Sequence, residues 1–285
     1  MINVLKFNVE TSFFIGDIHG EFKGLKSCIK KYDLKNCLLF CCGDIGLGFE
    51  KLQHYKDLIP KLNNLCKSNN VYVIFIRGNH DDPSYFDNTT INYSNIKAVS
   101  DYTIVQVFDI NDKEKYNPLH SVLCIGGATS IDRTYRIGVM NKNIKDYMRY
   151  HQCTLDEAKK NIKKSYWENE HPILNKPLLD DIKNANIKID VVCTHTCPSN
   201  AQPISKDGIL YWCLQDNNLE EDLNIERCIM DQIKVNLLDD GHLLTHWIYG
   251  HYHYRNYEVI DDIKYVMLDM MRNGNYDYYE LKNMI

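Results

Sequence analysis

The sequence predicts an α/β fold built on parallel strands, and two observations carry that prediction. Short apolar runs rich in β-branched and aromatic residues recur at 12–16, 37–42, 71–76, 121–125, 189–194 and 246–250, each ending at a polar or glycine position. The segments that follow the first two runs switch to helical spacing. Strand, loop, helix, strand is the pattern of a βαβ unit, whose strands lie parallel.

After the first run, "GDIHGEFKGLKSCIKKYDL" places Phe22, Leu25, Cys28 and Ile29 on one helical face. After the second, 49–67 does the same with Leu52, Tyr55, Leu58, Ile59, Leu62 and Leu65. Residues 131–188 are more polar and mostly helical in pattern, with a capping box in "TLDE" at 154–157 and a first-turn proline at Pro177. This stretch reads as a helical insertion within a single domain spanning 1–285. A long irregular loop is expected at 198–217, bordering the site, and an amphipathic helix at 218–238. "YEVI", "IKYVMLDM" and "YDYYEL" alternate as antiparallel strands do, with "NG" at 273–274 as a turn signal.

Bulk properties exclude several function classes. The 285 residues are 44% hydrophobic and 25% charged, ordinary proportions for a folded chain. A net charge of −5 leaves no basic footprint and disfavours nucleic acid as a partner. No apolar run approaches ~18 residues and the first sixteen lack a secretory pattern, so a soluble cytoplasmic protein without membrane association is expected. The eleven cysteines include no Cys-x-x-Cys pair, and several lie inside apolar runs, where reduced thiols pack as small core residues.

The polar residues at the strand ends carry the chemistry. They are Asp17 and His19 in "GDIHG", Asp44 in "CCGDIG", Asn79 and His80 in "RGNHDD", His195 in "VVCTHTCPS", and His251 with His253 in "GHYHY". Carboxyl ends of parallel strands line one crevice, so residues far apart in sequence converge there. Carboxylate, imidazole and amide oxygen form a mixed N/O shell suited to Mn, Fe, Zn or Ni rather than calcium. Seven ligand candidates exceed what one ion with an open position uses, but suit two ions ~3.5–4 Å apart that share a carboxylate. Asp44 is the expected bridge. Gly16, Gly43, Gly78 and Gly250 each precede a candidate ligand, where a bare backbone turns sharply and permits close approach.

The order GD-x-HG, GD, GNH[DE], a lone strand-end His and G-H-x-H resembles that of the calcineurin-like metallophosphoesterases over nearly the whole chain. The resemblance implies a four-layer αββα sandwich of two mixed β-sheets with a dinuclear site at one end. It implies that Asp17, His19, Asp44 and His253 hold one ion, and Asp44, Asn79, His195 and His251 the other. His80 is then not a ligand but a proton donor to the leaving alkoxide or a stabiliser of developing charge. Asp81 or Asp82 is expected to orient it, and Asn79 to touch the substrate as well as a metal. The implied reaction is in-line attack on phosphorus by a metal-bridging hydroxide, with no phosphoenzyme.

One departure bears on substrate binding. Where Ser/Thr protein phosphatases of this superfamily carry Asp-Arg-Gly in an extended second motif, this chain has "GDIGLGFE". The phosphate-binding arginine is therefore sought in "GGATSIDRTYR", at Arg133 or Arg136, while Arg77 is expected to make an ion pair beneath the site. The expected function is a phosphatase acting on a phosphorylated substrate, whether phosphoprotein or nucleotide. The alternatives are a phosphodiesterase acting on cyclic nucleotides or dinucleoside polyphosphates, and a non-catalytic scaffold on the same fold. Tyr135, Tyr166, Trp167 and Trp212 either border the site or belong to local core.

Overall fold

The structure is a computed structural model that describes residues 2–112, 117–201, 203, 209–272 and 275–281. Its first half contains β1 (Val4–Val9), β2 (Thr11–Ile15), α1 (Phe22–Lys31), β3 (Cys37–Cys41), α2 (Leu52–Ser68), β4 (Val71–Phe75), β5 (Ile96–Ala98), β6 (Thr103–Asp109) and β7 (His120–Ile125). The second half contains α3 (Arg133–His151), α4 (Leu155–Asn161), α5 (Lys176–Asn184), β8 (Val191–Thr194), α6 (Ile209–Cys213), α7 (Leu219–Asp239), β9 (His246–Tyr249), β10 (Asn256–Ile260), β11 (Ile263–Met267) and β12 (Tyr278–Leu281).

The strands form two mixed sheets. One has seven strands in the order β1-β6-β7-β8-β9-β11-β10, the other five in the order β12-β2-β3-β4-β5. Successive side chains of a strand point to opposite faces, and here both faces are covered, which is why the runs are apolar without interruption. In β3, Cys37, Leu39 and Cys41 face α1 and α2, while Leu38 and Phe40 face the other sheet. In β7 and β8, Val122, Cys124, Val191 and Cys193 face inward, whereas Leu123, Ile125 and Val192 pack with Ile182 of α5 and Ile233 of α7. The inner core between the sheets includes Phe14 stacked on Phe40, with centroids 4.6 Å apart. The result is the expected αββα sandwich.

Segment 131–188 divides into two parts. α3 and the capping-box helix α4 (Thr154 with Glu157) come first, and α5 then buries Leu179 and Ile182 in the outer core of the seven-stranded sheet. Segment 198–217 carries a 3-10 turn at Ser199–Ala201 and the short α6, and residues 202 and 204–208 lie outside the described residues. The C-terminal strands make the expected antiparallel pairings, though not all with one another. β10 and β11 are antiparallel, but β11 runs parallel to β9, and β12 crosses to the other sheet, where Tyr278 pairs with Ile15. Alternation identifies a strand but carries no information on its partner. The expected turn at 273–274 lies outside the described residues, though Arg272 and Asn275 beside it form an antiparallel bridge. All eleven cysteines are unpaired, and eight of them are buried. Among the described residues, no helix is long and apolar enough to cross a membrane.

Candidate metal centre

β2, β3 and β4 are mutually parallel, as are β8 and β9 in the other sheet, so five strand ends open on the same edge of the sandwich. Asp17, Asp44 and Asn79 follow strands of the five-stranded sheet, and His195, His251 and His253 follow strands of the seven-stranded one. The candidate site therefore sits across the seam between the sheets.

Donor atoms of Asp17, His19, Asp44 and His253 all lie within 4.8 Å of one another. His253 Nε2 is 2.9 Å from Asp17 Oδ2 and 3.0 Å from His19 Nε2, and His19 Nε2 is 3.7 Å from Asp44 Oδ2. Asp17 Oδ2 is fully buried, and although His253 Nε2 lies 2.9 Å away, no well-aligned hydrogen bond reaches it. A buried carboxylate oxygen so weakly compensated is costly. One proton on His253 can serve a single neighbour, whereas a divalent cation serves all four donors at once. The residues present fit such an ion.

A second group adjoins the first through Asp44. His195 donates its Nδ1 proton to the Cys42 carbonyl (2.7 Å), which turns Nε2 toward Asn79 Oδ1 at 2.9 Å and Asp44 Oδ1 at 3.2 Å. Burial opposes charge on this ring, but Asp44 and Asp17 outweigh it and push His195 up to about 10. The pocket thus selects positive charge. His251 lies against His195, with ring centroids 5.0 Å apart, and burial and His195 hold it well below its ordinary value, so it stays neutral with a lone pair free. Burial works to raise Asp44, but His80, His195 and His19 together pull its carboxyl well below the usual range.

Backbone strain concentrates here. His19 (φ 47°), Asp44 (47°), His251 (70°) and His253 (52°) all occupy the left-handed region, where a non-glycine residue costs of order 1–3 kcal/mol. In bends at positive φ the two histidines of "GHYHY" diverge to different partners, and Tyr252 turns into the protein, its hydroxyl 3.2 Å from Thr196 Oγ1. Gly43, at φ 98°, permits the close approach of His195, because a Cβ there would lie 2.2 Å from Nδ1. A Cβ on Gly250 would lie 2.2 Å from Asp17 Oδ1. At these two glycines the close approach expected of a bare backbone is made by the side chains of candidate ligands.

His80 stands beside the cluster, its backbone N–H donating to Asp44 Oδ1 at 2.8 Å. Neither expected carboxylate orients it. Asp81 accepts four backbone N–H groups, from Ile45, Gly46, Leu47 and Gly78, at 2.8–3.0 Å, and so fastens the loop carrying Asp44. Asp82 caps the 3-10 turn at Pro83–Tyr85 through Ser84. The group against His80 is Arg136, its Nη1 2.8 Å from Nδ1 and its Nη2 beside Nε2, and Asp132 holds the guanidinium at Nε (2.7 Å). Burial, with Arg136 behind it and Asp44 opposing, lowers His80 to about 4.

The two candidate arginines therefore part company. Arg133 is engaged by Asp216 (Nε 2.5 Å) and Asp222 (Nη2 2.5 Å), tying the start of α3 to α7 and leaving Arg136 alone beside the site. Arg77 pairs with Asp101 at 3.0 Å beneath the site, as expected. Trp167 is buried against Gly48, whereas Tyr135 is exposed and meets Trp212 at 6.4 Å. Three contributors escaped the sequence reading. Asp132 was visible as the i,i+4 partner of Arg136. Ser130, which accepts from Asn79 Nδ2 at 2.8 Å, and Glu170, which accepts from Ser130, show no spacing signal, because a lone Ser or Glu in a polar stretch reads as surface.

Several solved structures align with this chain. One aligns over 95% of both chains at 13% identity with a TM-score of 0.50. A dimetal phosphatase from Danio rerio aligns over 96% of this chain and 92% of its own at 13% identity (TM-score 0.45). Phosphopantetheinyl hydrolase from Mycobacterium tuberculosis aligns over 92% and 90% at 12% identity (TM-score 0.38). Among curated proteins none matches. The family model of the calcineurin-like phosphoesterases matches residues 11–255, covering all of the clustered side chains. The chain belongs to the calcineurin-like phosphoesterases, hydrolases of phosphate esters.

Proposed function

We propose that the chain is a dinuclear metal-dependent phosphatase that cleaves phosphomonoesters. Asp17, His19, Asp44 and His253 would hold one divalent cation, and Asp44, Asn79, His195 and His251 would hold the other. The observation that carries this reading is the convergence of four donor atoms within 4.8 Å around a buried carboxylate oxygen that no well-aligned hydrogen bond reaches. When bound, such ions neutralise phosphoryl oxygens and acidify the attacking water. The chain's own residues do the remainder. Arg136, held by Asp132, offers a fixed guanidinium to the non-bridging oxygens. His80, between Arg136 and Asp44, stabilises charge developing on the leaving oxygen as a neutral ring.

The positive Arg136 supports a terminal, dianionic phosphate over a diester, which carries one charge less. Every ligand position is filled, which weighs against a non-catalytic scaffold. Eight buried core thiols support a reducing, cytoplasmic compartment.

The test is a screen of Mn2+-loaded protein against p-nitrophenyl phosphate, its bis-ester, a phosphopeptide, cyclic nucleotides and dinucleoside polyphosphates. Faster turnover of the monoesters is expected, and preference for the bis-ester would make the enzyme a diesterase. His80→Ala is expected to abolish turnover while keeping two ions; loss of metal in that variant would overturn its role.

A further inference from the structure

We infer that Glu170, acting through Ser130, is a positioning residue that decides which end of the Asn79 amide faces the second cation; this rests on the ligand assignment proposed above. An asparagine amide has one end that can ligate a metal, the oxygen, and one that cannot, the NH2 group. Something must select between them. Asn79 Nδ2 lies 2.8 Å from Ser130 Oγ, and Ser130 Oγ lies 2.6 Å from Glu170 Oε2. The Ser130 backbone N–H donates to the other carboxylate oxygen at 2.7 Å.

With Glu170 ionised, proton direction along this chain is fixed. An ionised carboxylate only accepts, so both Ser130 donors point at Glu170, and the single hydroxyl proton is committed there. Only lone pairs of Ser130 Oγ remain for Asn79, which must present its NH2 end. Asn79 Oδ1 is thereby turned toward His195 Nε2, 2.9 Å away. That separation matches two adjacent ligands on one ion, since bonds of about 2.1 Å at right angles place donors about 3 Å apart.

The relay is built and sealed. Glu170 is 0% and Ser130 1% exposed, so bulk water does not replace a lost partner. The Glu170 carbonyl is fastened by Arg77 Nη1 (2.8 Å) and by the Ala128 N–H (3.1 Å), which fixes where the side chain begins. Burial pushes the Glu170 carboxyl up to about 8, against the Ser130 donors, Arg136 and Arg133. Cations in the site would add to that opposing pull and favour the ionised form the relay needs.

Glu170→Gln tests the polarity without changing the shape. Glutamine has one acceptor oxygen for the two Ser130 donors. If that oxygen takes the backbone N–H, its NH2 group donates to Ser130 Oγ and frees the hydroxyl proton to seek Asn79 Oδ1, which turns the NH2 end of Asn79 toward the ion. Equilibrium dialysis against Mn2+ should show one of two ions bound 10–100-fold more weakly, the range for a lost partner of a metal ligand, with the other unchanged. Ser130→Ala should also weaken one ion, and adding Glu170→Gln to Ser130→Ala should change nothing further, because the messenger is gone. Additive losses would assign Glu170 a general packing role and overturn the relay. If Glu170→Gln does not fold, Ser130→Ala decides alone: two ions at wild-type affinity would overturn it. Wild-type protein that binds no Mn2+ would overturn the relay and the ligand assignment together, whereas two ions in wild type and unchanged variants would sink the relay alone.

Discussion

His246 makes the fold acid-sensitive at a point remote from the metal centre. It opens β9, at the end of the strand opposite Gly250, and is 4% exposed, with Thr245 Oγ1 at 2.9 Å from Nδ1 and the Tyr279 hydroxyl at 3.0 Å from Nε2. Burial first, then Lys264 and His120, with Asp190 opposing, lower its pKa from 6.5 to about 4. Between these values the unfolded chain binds a proton that the folded chain refuses, so stability is full above pH 6.5 and falls as the pH drops toward 4. The loss from this one group is about 2 kcal/mol at pH 5 and about 3 kcal/mol at pH 4, at 1.36 kcal/mol per unit. At roughly 2–4 °C per kcal/mol, the melting temperature should fall by about 4–8 °C between pH 7 and pH 5 on this account alone. The assay is thermal unfolding of wild type and His246→Gln across that range, since glutamine keeps polar contacts but does not titrate. The variant should lack this part of the slope. Parallel curves for the two proteins would refute the assignment.

The two arginines of α3 should separate by readout. Arg136→Ala is expected to lower kcat/KM for p-nitrophenyl phosphate by about 10²–10³-fold with little change in melting temperature, as for a lost donor to developing charge. Arg133→Ala should spare kcat/KM more and cost about 2–3 kcal/mol in urea unfolding, because Asp216 and Asp222 lose their shared cation in a half-buried setting. Exchanged outcomes would reverse the roles. Gly250→Ala should displace the Asp17 carboxylate, whose Oδ1 would meet the new Cβ at 2.2 Å, with a stability loss of about 1–3 kcal/mol and weakened Mn2+ binding in dialysis. Wild-type affinity in that variant would show that Asp17 does not hold metal where proposed.

Much of the molecule was legible in the chain because local patterning and tertiary demand coincide. β3, buried on both faces, needs apolar residues throughout and has them in "CLLFC". α1 needs one apolar face and carries Phe22, Leu25, Cys28 and Ile29 there. The site was legible because metal-ligand residue types are costly at strand ends unless used, and five such motifs recur in order. Asp81 was misread for the opposite reason. Its position next to His80 suggested partnership, but backbone geometry turns its carboxylate to the four N–H groups of two loops.

The sequence by itself determined which residues could ligate metal and which segments form strands, since side-chain chemistry and hydrophobic period are local properties. Only the tertiary structure decided where β12 pairs, that Arg136 and not Arg133 reaches His80, and that Ser130 stands between Glu170 and Asn79. Those choices depend on which partner comes within about 3 Å after the chain has folded, and hydrogen-bond direction is defined only once donor and acceptor meet. The pair in "GHYHY" shows both halves: the imidazoles were evident in the chain, but their assignment to different neighbours rests on positive φ at His251 and His253, a conformation that the surrounding loops impose.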